Sequence, residues 1–187
     1  MIWLAPTNSR YGALILAGLA LSLIGDAFLA LPGDRFMPGL VAFLLAHLCY
    51  IAAFLQETRR LKLLRLPPYA VWVGGLYLFL LPSLGEMAVP VGIYSAVITA
   101  MMWRAGALLG RRQAERWQLA ASFGATLFGL SDSVLAVMRF HGAFPYGGAF
   151  LILAYWLGQA GIALSAKAES TARGPVRRAS AEGIGGV

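Results

Sequence analysis

Two aspartates stand where acids are rarely found. Asp26 lies in an apolar run that ends near Leu31, and Asp132 in another that ends near Phe140. The other six of the eight acidic residues fall in polar breaks or in the tail. A carboxyl group inside an apolar helix is costly unless it meets a cavity or a partner, so such residues are functional-site candidates by default. Two of them in one low-dielectric cavity tend to share a single proton. That places a protonated acid beside a carboxylate, as general acid–base chemistry requires. The same pair would serve a carrier as a proton relay or cation site. The plainest alternative is a neutral, hydrogen-bonded contact between helices.

Helices must hold these residues. The chain has 187 residues, 59% hydrophobic and 12% charged, against roughly 25% charged in soluble domains. Its apolar runs are long and continuous, without the alternating polarity of a transmembrane β-barrel. The fold class is therefore an all-α integral membrane protein, a polytopic bundle of six transmembrane helices. The spans are Tyr11–Leu31, Phe36–Gln56, Pro68–Leu84, Met87–Leu109, Trp117–Phe140 and Tyr146–Ala166. Residues 1–166 form the bundle, and 167–187, rich in Ala, Gly, Ser and Arg, are expected to be a disordered basic cytoplasmic tail.

Depth relates the two acids. Asp26 is fifteen residues past Tyr11 and Asp132 fifteen past Trp117. The first and fifth spans run in the same direction, so both acids lie ~22 Å along their helices. Gly18, Ser22 and Gly25 flank Asp26, and Ser122, Thr126, Gly129 and Ser133 flank Asp132. Small residues let helices approach closely, so both carboxyls are expected to face the bundle. His47 and Tyr50 on the second span, and Tyr155 and Gln159 on the sixth, supply donors and acceptors for a polar pocket. His141 falls in a loop without a partner pattern, and the pair Met101–Met102 reads as core filler.

The charge balance of +7 is explained by topology. Thirteen of the fifteen Lys and Arg residues lie on the side that also holds both termini, counting Arg104, which is expected to snorkel there. Arg35 and Arg139 lie on the other. Cations are retained in the cytoplasm, so both termini are expected there, in a bacterial inner (plasma) membrane, with no nucleic-acid partner. Membrane lipids are the expected surroundings, and anionic headgroups are plausible partners of the basic loops. Cys49 is the sole cysteine, which rules out an intramolecular disulfide and a cysteine metal cluster. With two histidines, one in a loop, no metal site and no cofactor are expected. No cleavable signal peptide is evident.

A short internal similarity pairs IGDAFLA (24–30) with LSDSVLA (130–136), each followed by Arg-Phe. Parallel repeats often hold a membrane binding site at their interface.

At these residues the chain resembles the YhhN-like family of multi-pass membrane proteins, which includes the lysoplasmalogenases. The resemblance covers about Arg10 to Ser165. Its segments are SLIGDAFL with FMPGLVAFLLAHLCYIAAF, then PVGIYSAVITAMMWRA (90–105), FGATLFGLSDSVLA (123–136) and YWLGQ (155–159). It implies a hydrolase that cleaves the vinyl ether bond of lysoplasmalogens to a fatty aldehyde and a glycerophospho-ethanolamine or glycerophosphocholine. By the resemblance, the family's two membrane aspartates fall on Asp26 and Asp132, its His and Tyr on His47 and Tyr50, and its late Tyr and Gln on Tyr155 and Gln159. Family members have about eight spans, so an N-terminal helix pair is expected to be absent here or to lie upstream.

The chemistry implied is proton transfer to carbon, formation of an oxocarbenium-like cation, capture by water and collapse of a hemiacetal. Paired carboxylates do comparable work in glycosidases. Asp132 is read as the acid and Asp26 as the base. His47, Tyr50, Tyr155 and Gln159 are read as binding a lysophospholipid substrate or orienting water. A non-enzymatic lipid-binding protein or proton-coupled carrier, and a structural member of the family without activity, are the competing readings.

Overall fold

A helix that crosses a bilayer must satisfy its own backbone groups, and the apolar runs of this chain do so as α-helices. The computed structural model describes the backbone of residues 10–110 and 114–182, and side chains over 10–110 and 114–166. Six α-helices occur there: α1 Arg10–Ala30, α2 Phe36–Glu57, α3 Pro67–Leu84, α4 Ala88–Leu108, α5 Arg116–Phe140 and α6 Gly147–Glu182. No strand is found among the described residues. The described helix ends fall within a residue or so of the expected spans, except at the end of α6. There the backbone stays helical to Glu182, past the point where the apolar sequence stops and disorder was expected.

The span count needs correction. Among the described residues five segments, not six, are long and apolar enough to cross a membrane, because Pro67–Leu108 is one candidate of 42 residues. The break expected around Ser83–Glu86 is a single 3-10 turn, Gly85–Met87. Gly85 takes φ +53° there, a left-handed value that suits glycine. The chain reverses in this turn without a loop, and α3 packs back on α4.

Helices α1, α2, α4, α5 and α6 close a ring through the contacts α1–α2, α2–α4, α4–α5, α5–α6 and α6–α1, with α3 outside against α4 and α5. The α5–α6 seam is closed by glycines. A Cβ on Gly124 would lie 2.7 Å from the carbonyl oxygen of Gly158, and one on Gly161 would lie 2.9 Å from that of Ala120. Small residues allow this backbone approach, which gains van der Waals contact in lipid. Side chains fill the ring: His47, Tyr50, Phe54, Met101, Met102 and Phe128 are almost fully buried. Apolar side chains such as Val71 (74% exposed) and Trp156 (68%) point outward, as suits lipid contact.

One end of the ring is sealed. Tyr11 packs edge-on to Trp117 at 5.9 Å and against Phe54, and its hydroxyl shares a 2.7 Å hydrogen bond with Ser165. At the same end the α2–α3 loop caps α4. Lys62 Nζ donates to the carbonyls of Ala107 (2.6 Å) and Leu109 (2.7 Å), and Arg65 donates to Leu109 (2.9 Å) and Gly106. Cations at a helix C-terminus satisfy orphan carbonyls and oppose the helix dipole. Arg104 does not snorkel as expected. It is 3% exposed and donates to the loop carbonyls of Arg60 and Thr58. Arg111 and Arg112 lie outside the described residues, and so do the side chains of the basic tail.

Candidate active site

Glycines on α1 make room for the rings of α2. A Cβ on Gly18 would collide with the ring of Tyr50, and one on Gly25 would come within 2.7 Å of Phe43. These close approaches let α2 bring Phe43, His47 and Tyr50, at i, i+4 and i+7, into the ring interior.

Asp26 is the end point of a hydrogen-bond chain across three helices. Tyr50 on α2 donates to Gln159 Oε1 on α6 (2.9 Å), Gln159 Nε2 donates to the Tyr155 hydroxyl (3.1 Å), and Tyr155 donates to Asp26 Oδ2 on α1 (2.6 Å). Ser22 Oγ lies 3.4 Å from the Tyr50 hydroxyl. Every donor in the run points towards the carboxyl, so each bond polarises the next in a sense that stabilises negative charge on Asp26.

Asp132 has a different setting. The Tyr94 hydroxyl, from α4, donates to its Oδ2. The same oxygen lies 4.0 Å from His47 Nε2, and the imidazole is fully buried. Neither ring nitrogen of His47 has a hydrogen-bond partner. The ring is wedged edge-on among Phe128 (4.9 Å), Tyr94 (5.2 Å) and Tyr50 (6.5 Å). A buried polar group left unpaired is costly and calls for an explanation, and here the charged group beside it is the Asp132 carboxyl.

Asp132 also opens onto space. A cleft of about 60 Å³ runs between α2, α3, α4 and α5, touching Leu29 of α1. Its walls are apolar, with Phe36, Leu40, Phe43, Leu76, Ile98 and Leu135 among them, and Tyr94, Ser95, Asp132 and Ser133 supply its polar groups. Phe43 marks its border with the other carboxyl, for its ring packs on Gly25 and stands edge-on to Tyr155 at 6.1 Å. Asp26 is not in the cleft wall.

The structure thus groups the expected residues in two sets. His47 stands with Asp132; Tyr155, Gln159 and Tyr50 stand with Asp26, in hydrogen bonds to one another and away from the cleft wall. Tyr94, the hydroxyl on Asp132, was missed. A signal for it existed: Tyr94 is six residues into α4 from the end where Asp132 sits eight residues from the end of α5, so the depth comparison that paired the acids would have found it. Among the described residues no group of three or more His, Cys, Asp or Glu is placed to hold a metal ion.

The sequence profile of the YhhN family matches residues 1–166. The chain is 41% identical over 158 residues to a bovine protein named lysoplasmalogenase TMEM86A, covering 81% of this chain and 64% of that protein. It is 35% identical over 170 residues to human lysoplasmalogenase TMEM86B, covering 88% of this chain and 68% of the relative. It is 31% identical over 159 residues to an uncharacterized membrane protein YhhN of Escherichia coli O6:H1, covering 84% and 76%. The chain thus spans just under two thirds of the bovine relative. No solved structure matches the chain.

Proposed function

The chain belongs to the YhhN family, and from that premise we propose that it is a lysoplasmalogenase-like hydrolase, which cleaves the vinyl ether bond of a lysophospholipid within the membrane. The observation that carries this reading is the position of Asp132, a carboxyl with a tyrosine donor at the wall of an apolar cleft. An alkenyl chain matches such walls, and a vinyl ether needs one well-placed proton.

In this account Asp132 transfers its proton to the alkenyl carbon one bond removed from the ether carbon. The π electrons form the new C–H bond and the ether oxygen stabilises the resulting cation. Water adds to the cationic carbon and returns a proton to Asp132. The hemiacetal then loses its glycerol oxygen, which leaves protonated as the alcohol, and the former alkenyl chain departs as an aldehyde. One water is consumed and no redox partner is needed. His47, unpaired and 4.0 Å from Asp132, orients that water. Tyr94 fixes the acid's rotamer. Asp26, supplied with hydrogen bonds through Tyr155, stays ionised and stabilises the cation from across Phe43, as the second carboxylate does in glycosidases.

The same reading sets the protein in a bacterial inner membrane with both termini in the cytoplasm, from the Lys and Arg asymmetry. It treats Pro67–Leu108 as two crossings, since 42 residues of straight helix would reach ~63 Å, twice the ~30 Å hydrocarbon core. The relatives named lysoplasmalogenase support the substrate class.

The test is aldehyde release from a lysoplasmalogen by the purified protein in detergent, where no gradient exists. Turnover supports the enzyme. A folded protein that binds the lipid without cleaving it would place this chain with carriers or structural relatives.

A further inference from the structure

Beside the cleft that holds Asp132, a hollow of about 420 Å³ opens at Phe36, and the two spaces share Leu29, Phe36 and Leu135 in their walls. The hollow is bounded by Asp34, Arg35 and Arg139, at the end of the ring opposite the Tyr11–Trp117 seal. Arg139 Nη2 donates to Asp34 Oδ2 at 2.6 Å, and its guanidinium lies over the ring of Phe36 at 5.2 Å. The other oxygen of Asp34 accepts from the Phe36 N–H at 3.2 Å. These two bonds hold the Asp34 carboxyl below the usual carboxylate range, so it stays ionised at the mouth. Both charged side chains are open to solvent, at 43% and 69% exposure.

Helix α5 connects the hollow with the acid. Asp132, Leu135 and Arg139 follow i, i+3 and i+7 spacing, so they share one face of α5. Seven residues of helix separate acid from guanidinium by ~10 Å. In an alkenyl lysophospholipid, seven bonds separate the carbon that takes the proton from phosphorus. An extended chain advances ~1.2 Å per bond, which gives ~8 Å. The difference is within the reach of an arginine side chain.

We propose that this hollow is the headgroup subsite of the lipid whose alkenyl end meets Asp132 at the cleft. The phosphodiester sits on Arg139 with Arg35 beside it, and the cationic amine of a zwitterionic headgroup takes Asp34, replacing the Arg139–Asp34 ion pair by two pairs to the lipid. Arginine suits the first task because its planar fork pairs two phosphate oxygens. This assignment rests on Asp132 being the proton donor, since that sets the distance being matched.

The experiment uses the full chain in detergent and two non-hydrolysable ligands, a 1-alkyl lysophosphatidylethanolamine and the corresponding 1-alkylglycerol, which lacks the headgroup. Wild type is expected to bind the phospholipid at least ~10-fold more tightly, as a charge-assisted phosphate pair allows. Arg139→Gln should remove most of that preference and leave alkylglycerol binding as it was, which also reports that the variant is folded; Arg139→Lys should restore part of it. Equal affinity of wild type for both ligands, or an undiminished preference in Arg139→Gln, overturns the subsite. With a lysoplasmalogen as substrate, Arg139→Gln should raise KM and spare kcat. A preference that tracks Arg139 in a protein that cleaves no vinyl ether keeps the subsite and removes the chemistry; cleavage with a preference independent of Arg139 does the reverse.

Discussion

The two halves of the ring interior use the same pair of groups, an aspartate that accepts from a tyrosine, and differ in what surrounds it. Around Asp26 the donors are spoken for: Tyr155, Gln159 and Tyr50 point in series at one carboxyl. Around Asp132 they are not. One tyrosine donates, a buried imidazole stands unpaired at 4.0 Å, and an apolar cleft reaches the carboxyl. A hydrogen-bond chain directed at a carboxyl favours its ionised form, whereas an apolar cleft favours the neutral one. In the proposed reading these settings suit two like residues to unlike work, Asp132 to giving a proton and Asp26 to holding a charge.

The largest effect should come from removing the acids in turn. Asp132→Asn is expected to lower kcat by ~10³-fold, within the range for general acid catalysis. Asp26→Asn should cost less, on the order of 10- to 100-fold, because it removes a charge that acts from across Phe43 and not at the cleft wall. Aldehyde release by the two variants, each checked for an unchanged melting temperature, decides this; equal losses would erase the contrast between the halves.

The tyrosines sharpen it. Tyr94→Phe removes the hydroxyl on the acid and should lower kcat by ~10-fold, the worth of one hydrogen bond to a charged or reacting group. Tyr155→Phe should act on turnover only through Asp26, with a loss of ~3-fold, and should cost stability because it strands Gln159. Steady-state kinetics with thermal unfolding separates the two expectations.

Phe43 is the partition between the halves. Phe43→Ala deletes a buried aromatic and is expected to cost ~3 kcal/mol of stability. It also opens the cleft towards Asp26, so KM should change while the order of the two aspartate variants narrows. Kinetics of the Phe43→Ala, Asp26→Asn double variant against the singles measures that coupling.

The smallest effect is expected at the seam behind Asp26. Gln159→Leu keeps volume and loses the amide bridge between Tyr50 and Tyr155, so its unfolding midpoint should fall by an amount worth ~1–2 kcal/mol, with kcat lowered by no more than Tyr155→Phe lowers it.

Much of this was legible in the sequence. The six α-helices follow from runs of apolar residues bounded by Gly, Pro and charge. The tight turn at Gly85 was visible as a break but not as a turn short enough to fuse two spans into one candidate. The similar depth expected for Asp26 and Asp132 came from counting along two helices that each open on an arginine and an aromatic residue and run the same way. Their partners were harder to read. Which tyrosine meets which acid depends on the order of helices around the ring, and no periodicity within a single helix carries that information. Tyr50 and Gln159 have polar tips that serve equally well on a ligand or on each other, and only the packing of α1 against both α2 and α6, with Gly18 admitting the ring of Tyr50, decides. Arg104 shows the same limit: near a helix end it reads as a snorkelling cation, yet a loop folded over the α4 terminus offers it carbonyls instead.

The most direct measurement follows an oxygen atom. If Asp132 protonates the alkenyl carbon, water attacks the cation on the alkenyl side and the glycerol oxygen never leaves glycerol. Turnover of a lysoplasmalogen by the wild-type protein in ¹⁸O-labelled water should therefore give a glycerophospho product with no label, and Asp132→Asn should give almost no product at all. Label in the glycerophospho product would mean that the bond on the glycerol side had broken, and would contradict the account.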